Sequence, residues 1–218
     1  MKKILIFVAL FIVPIVAYLF FALATHNSLF LSTITKNVNE LPKGKTLDGK
    51  VIQLKDKITI LGYPGTTMLA DKGNLLNLNQ KIYNKYKDFS DFQLVMLAPI
   101  GAENDAQLLL DELSRYADVS GWNFVFTTPE EITKFHASLK VSKTLNKNSA
   151  SPYVFILDKD KNLRGRTGKD KKGKEEYFEG YDTQSAAEMH NEMSDDIRIL
   201  LREYRLALQR NNKDKRKI

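Results

Sequence analysis

The chain has 218 residues, 43% apolar and 27% charged, a balance that excludes a disordered polymer and fits one globular domain with a segment or two to spare. Its net charge is +7, but Lys and Arg are interleaved with Asp and Glu. The one dense basic run is the tail from Arg210 to Lys217, which reads as a solvated terminus, so no nucleic-acid partner is expected. There is no cysteine, which excludes disulfides, thiolate chemistry and Cys-based zinc sites.

Lys2 and Lys3 precede an apolar run from Ile4 to Ala24. At 1.5 Å rise per residue, about 21 residues span on the order of 30 Å, the thickness of a bilayer's hydrocarbon core. Ala22-Leu23-Ala24 offers a small-x-small cleavage site, but the run is longer than the core of a cleaved signal, so residues 1–25 are expected to be an uncleaved signal anchor, a transmembrane helix. With the positive charges inside, the rest is exported: a single-pass protein of a bacterial inner membrane with its globular domain in the periplasm. Residues 26–40 show no clear period and read as a juxtamembrane linker, leaving 41–209 for the domain and 210–218 for the basic tail.

Within the domain, Asp48-Gly49 between short alternating runs predicts a hairpin, because this pair supplies the positive φ of a type I′ turn. Ile58–Leu61 is a short strand ended by Gly62, Pro64 and Gly65. Leu75, Leu76, Leu78, Ile82, Tyr83 and Tyr86 recur at helical spacing, predicting a helix over 71–87. Phe92–Ala98 is apolar enough for a strand buried on both faces. Asn104 or Asp105 can cap a helix reaching Ala117, with Leu109, Leu113 and Tyr116 facing inward. Trp122–Phe126 is a further strand, and Thr128-Pro129-Glu130-Glu131 is a helix start, with Thr128 as N-cap and Pro129 first in the helix. Tyr153–Leu157 and Leu163–Arg166 flank a turn at 158–162 and lead to a loop over 165–174. The last helix spans 184–209 with Met189, Met193, Ile197, Leu200, Leu201 and Tyr204 as its apolar stripe. Strands alternating with helices imply an α/β sandwich of three layers, a central mixed sheet with helices on both faces.

The order of elements and several local strings resemble the thioredoxin-like superfamily, and within it the membrane-anchored Sco/SenC family of copper and redox proteins. The strings are LPKGKTLDGKVIQLKD from Leu41, ITILGYPGTTMLA from Ile58, LVMLAPIGAENDAQLLLDEL from Leu94, WNFVFTTPEEITKFHASLKV from Trp122 and SPYVFILDKDKNLRGR from Ser151. Pro99-Ile100 departs from the acidic residue often found after the second of these strands. The resemblance implies a Cys-x-x-x-Cys pair and a distant His that bind copper. Those positions fall on Thr66, Ala70 and Ala150, where a hydroxyl and two methyl groups replace soft ligands. The resemblance therefore implies the scaffold without the thiol or copper chemistry, and a protein that is not an enzyme and needs no cofactor. It also places Pro152 where the superfamily carries a cis-proline that helps hold extended peptides; Ser151-Pro152 is either that bond or a trans proline starting a strand.

The function expected on these grounds is binding or assembly of a membrane-protein or exported partner, such as a respiratory-complex subunit, in a groove of Tyr63, Pro64, Gly65, Thr66, Thr67, Ser151 and Pro152. The alternative is copper handling through Met189, His190 and Met193, since thioethers and imidazole suit Cu(I). Yet Met189 and Met193 also fit the apolar stripe, and His190 lies about 100° off it, so core packing with an exposed His is the simpler reading. Asp158, Asp160 and Asn162 alternate as in calcium loops but lack the glycine and distal glutamate of an EF-hand. An enzyme using Thr66, Tyr63 or Asp71 lacks a recognisable base beside a nucleophile.

Overall fold

The computed structural model describes residues 10–16, 18, 30–169 and 173–215. Among these, no helix is long and apolar enough to cross a membrane. Residues 10–16 are helical, and most of the remainder of the apolar run, where the membrane helix is expected, lies outside the described residues.

The strands are β1 (Ser32–Thr35), β2 (Lys45–Thr46), β3 (Ile58–Pro64), β4 (Phe92–Pro99), β5 (Trp122–Thr127), β6 (Ala150–Leu157), β7 (Leu163–Lys169), β8 (Glu175–Phe178) and β9 (Tyr181–Asp182). Helix α1 comprises Lys72–Leu78, a π-helical turn at Asn79–Tyr83, and Asn84–Tyr86. Helices α2 (Glu103–Ser114) and α3 (Pro129–Ser138) follow, and α4 runs through Ala186–Glu188, a second π turn at Met189–Met193, and Ser194–Lys215. One mixed sheet has the order β1-β7-β6-β3-β4-β5-β2, with β8 added beside β7 and β9 beside β6.

Strands β3, β4 and β5 are mutually parallel. Their right-handed crossovers step in one direction, so α1 and α2 lie on the same face. There Leu75, Leu78, Ile82, Leu109 and Leu113 pack with Met189, Met193 and Ile197 of α4. The chain then reverses over β3 to the antiparallel β6, which puts α3 on the other face, where Ile132, Phe135 and Leu139 meet Leu61, Val95, Phe155 and Leu157. Strand β3 is buried throughout, as expected of a parallel strand covered on both sides. The helix start at Thr128 forms as predicted: its side chain accepts the Glu131 N–H, with Pro129 first in the helix.

The sequence reading is corrected at several elements. The segment read as a linker contributes β1, which pairs antiparallel with β7, Ser32 opposite Gly165. Asp48-Gly49 makes a tight turn, Gly49 at φ +72°, but no hairpin; β2 pairs with β5 instead, Lys45 opposite Phe126. Strand β3 continues past Gly62 by pairing with β4 and β6, and the glycine fits because Met96 and Val154 leave no room there for a Cβ. Helix α2 starts at Glu103 after Ala102, so Asn104 and Asp105 lie inside it and not at its cap. The Glu103 carboxylate instead turns back to accept the Gly101 N–H at 2.7 Å. Tyr116 is 72% exposed and does not face inward. The expected loop over 165–174 is largely strand, with β7 extending to Lys169 opposite Glu175 of β8. The basic tail is helical through Lys215.

Helix α4 is tied to β7 by ion pairs at alternate residues of one strand. Arg164 donates to Asp158 at 3.0 Å and to Glu203 at 2.6 Å, and Arg166 donates to Asp196 at 2.7 Å and to Glu176 at 2.8 Å. Asp196 is 0% exposed and also accepts from the Tyr181 hydroxyl. Its burial outweighs these partners and raises the carboxyl above its ordinary range.

Candidate functional site

The end of β3 and the start of β6 meet near Thr66 and Ala150, two of the three positions singled out by the resemblance. Pro64 pairs with Ala150 and Tyr63 with Ser151. Beyond the strand, the Thr66 N–H donates to the Asn148 carbonyl at 3.3 Å. Gly65 makes this approach possible: it sits at φ +65°, and a Cβ there would come within 2.6 Å of both the Ala150 Cβ and the Asn148 carbonyl oxygen. Ahead of the opposing strand, the Asn146 side-chain oxygen accepts from the N–H groups of Asn148 (2.8 Å) and Ala150 (3.0 Å), fixing a tight turn that leads into β6. Thr66 and Ala150 are thus brought to one junction. Ala70 is not; it is exposed one turn further on and lines a separate hollow between α1 and α2.

A groove of about 220 Å³ opens at this junction. Of the residues expected to line it, Tyr63, Pro64, Ser151 and Pro152 do, whereas Gly65, Thr66 and Thr67 do not. Gly65 is buried, and Thr66 and Thr67 point to solvent outside the groove. Ala150 lines it as well, and Met68, Leu75, Asn74, Asp71, Asn146, Thr183 and Gln184, none of them expected there from sequence, complete the lining. The NKNSA string around Asn146 was a visible turn signal, but nothing in the sequence marked Thr183 and Gln184, which arrive by β9 pairing with β6. The result is an apolar floor ringed by amides and hydroxyls, with Asp71 as its one charged group.

No peptide bond among the described residues is cis, so Ser151-Pro152 is trans. The Pro152 carbonyl is already taken, accepting from the Thr183 N–H (3.0 Å) and hydroxyl (2.7 Å).

The Tyr63 side chain leaves on the other face of the sheet. It is 1% exposed, its ring lies edge-on to His136 with centroids 5.1 Å apart, and both rings contact Phe155. Neither the Tyr63 hydroxyl nor His136 Nε2 has a hydrogen-bond partner. Burial pushes the Tyr63 phenol well up and the His136 imidazole down, the latter opposed by the Glu179 carboxylate. Glu179 itself is buried yet held below the usual carboxylate range by the Ser142 hydroxyl at 2.6 Å, the Tyr177 hydroxyl and the N–H groups of Ser142 and Lys143.

The alternative metal set is not assembled. Met189 and Met193 are 0% exposed within the core, while His190 is exposed beside Lys85, with Nζ 3.3 Å from Nδ1. The helix turns the imidazole away from both thioethers. No group of three or more His, Cys, Asp or Glu suited to a metal ion occurs among the described residues.

No known family matches this sequence, and no curated protein does. Solved structures do resemble the fold. A putative protein disulfide isomerase from Bacteroides thetaiotaomicron superposes with a TM-score of 0.51 at 13% identity, over 80% of this chain and 95% of that one. A putative electron transport protein from Aquifex aeolicus gives 0.50 at 17% identity, over 79% and 98%. Copper-bound ScoI from Arabidopsis thaliana gives 0.43 at 19% identity, over 74% and 98%. At these identities the likeness concerns architecture alone. With its parallel β3-β4-β5 core, antiparallel β6-β7 and helices on both faces, the chain has a thioredoxin-like fold.

Proposed function

We propose that this chain is a membrane-tethered, exported protein of the Sco/SenC kind that holds a partner and catalyses no reaction of its own. The observation that carries this reading is the groove at the β3–β6 junction, lined by Ala150 with Thr66 close by; the resemblance would put thiolate and imidazole ligands at Thr66, Ala70 and Ala150, which this cysteine-free chain does not supply. An apolar floor of Pro64, Met68 and Leu75 ringed by Asn74, Asn146, Ser151 and Gln184 offers amide and hydroxyl groups suited to the backbone of an extended polypeptide. The copper-oxidase connection follows from resemblance alone. A bilayer anchor adds concentration: confined to the membrane, the domain meets membrane partners at far higher effective concentration than in solution.

Capture from detergent-solubilised membranes with the tagged full chain tests this. A specific membrane or exported protein is expected, and it should be lost with Gln184→Trp, which fills the rim of the groove from an exposed position. Recovery of no specific partner, or equal recovery with the filled groove, ends the proposal. Titration of Cu(I) should show no site tighter than micromolar, because the Met189 and Met193 sulfurs are enclosed in the core.

A further inference from the structure

The outward face of α4 carries Arg198, Arg202 and Arg205 at i, i+4 and i+7, all exposed. Together with Tyr86 and Phe89 from the end of α1, and Leu201 and Leu206 from α4, they surround an apolar hollow of about 350 Å³. Arg198 is paired with Asp195 at 2.7 Å, a neighbour on the same helix. Among the described residues, neither Arg202 nor Arg205 has an acidic partner, in contrast to Arg164 and Arg166 on β7. A cationic rim around an apolar hollow suits a surface that is anionic at its face and hydrocarbon just beneath.

A second observation names that surface. The chain joins the fold at the same turns of α4, on the helix's β7 side: the Leu31 N–H donates to Glu203 at 2.6 Å, and the Leu31 carbonyl accepts from Arg164 at 2.5 Å. Glu203 belongs to the same turns of α4 as Arg202 and Arg205 but lies on the side facing β7, about 100° or more round the helix from the arginines. From Leu31 back to Ala24, the last residue of the apolar run, seven residues reach at most about 25 Å even fully extended. Whatever holds that run in a bilayer therefore holds this part of α4 near the headgroups.

We propose that the Arg198–Arg202–Arg205 face of α4, with Tyr86, Phe89 and Leu206, docks on the anionic phospholipid surface of the membrane. The proximity argument rests on the tethered reading above; the charge and the hollow do not. Docking there leaves the groove at the β3–β6 junction to be presented in a fixed orientation relative to the bilayer.

The absence of cysteine makes the test clean. Leu206→Cys creates a unique thiol that takes an environment-sensitive fluorophore, in the full chain reconstituted into lipid discs. With phosphatidylglycerol in the disc, a blue shift and a several-fold rise in emission are expected, absent in pure phosphatidylcholine and lost in high salt. The triple variant Arg198→Glu, Arg202→Glu, Arg205→Glu should abolish the shift while keeping the same melting temperature. Equal emission in both lipids, or a shift that survives charge reversal, overturns the proposal. A shift that appears in detergent and depends on protein concentration means a second copy occupies the face, and overturns it too. If the full chain does not enter discs of either lipid, the tethered reading falls. Docking is then decided by sedimentation with preformed vesicles: co-sedimentation with anionic but not neutral vesicles upholds it, and none overturns it.

Discussion

Two residues carry most of what is particular to this molecule at the scale of single residues. Gly65 combines a positive φ with a close approach to Asn148 and Ala150, where a Cβ would come within 2.6 Å of both. Gly65→Ala would place a methyl group against the Asn148 carbonyl in a backbone conformation that L-residues resist, and should destabilise the fold by about 1–3 kcal/mol. For a domain of this size that is a fall of several degrees in melting temperature, measurable by calorimetry. His136 is the second. Its imidazole is buried against Tyr63 and Phe155 and titrates below its ordinary value of 6.5. The unfolded chain therefore binds the proton first. Stability at this site is full above pH about 6.5 and declines as pH falls toward the lower folded-state value, below which the loss is constant. His136→Phe keeps an aromatic ring and removes the titration, so its stability should vary less than the parent's between neutral and mildly acidic pH. Chemical denaturation across that range checks this, and parallel profiles would refute it.

Among the elements, the junction of β7 and α4 is held by charge as well as by packing. Arg166 serves Asp196, Glu176 and Glu192 at once, and its guanidinium is held even more firmly protonated than usual by those carboxylates acting against its burial. Removing it with Arg166→Met leaves Asp196 buried with the Tyr181 hydroxyl as its remaining partner and should cost about 3 kcal/mol. Adding Asp196→Asn to that variant should restore a good part of the loss, because the stranded charge is then gone. A double-mutant cycle measures the coupling, and strict additivity would mean that the two groups act independently. None of this was legible beforehand. Glu192 and Asp196 lie off the apolar stripe of the last helix, and Arg164 and Arg166 fall in a short strand running into an expected loop, with nothing local to pair them. Only the register of β7 against β8, and the placement of α4 across both, turns these charges inward.

For the molecule as a whole, the N-terminal side of the domain is part of the sheet. Strand β1 covers the edge of β7, and the Leu31 carbonyl satisfies the Arg164 guanidinium. Deleting residues 1–36 should therefore lower the melting temperature and expose a strand edge prone to self-association, seen as loss of monomer in size-exclusion chromatography. Deleting residues 1–25 should leave the melting temperature of the domain unchanged.

The core order of the fold was readable because long apolar periodicity survives any context: the helix stripes of α1 and α4, the unbroken run of β4, and the Thr128-Pro129 start of α3 each identify an element locally. Local chemistry also marked the turn at Asp48-Gly49 and the excluded thiol reactions. What escaped were pairings made by distant chain. Strands β1, β8 and β9 are short and weakly patterned, and they are strands because a partner offers an edge, since a lone short strand cannot offset its own ordering entropy. The groove has the same origin: Pro64 and Ala150, paired across β3 and β6, lie 86 positions apart in the chain. Sequence alone determined which chemistry this chain lacks. The tertiary structure decided which side chains stand around the groove at the β3–β6 junction, because adjacency across a sheet depends on register and crossover, which no local string encodes.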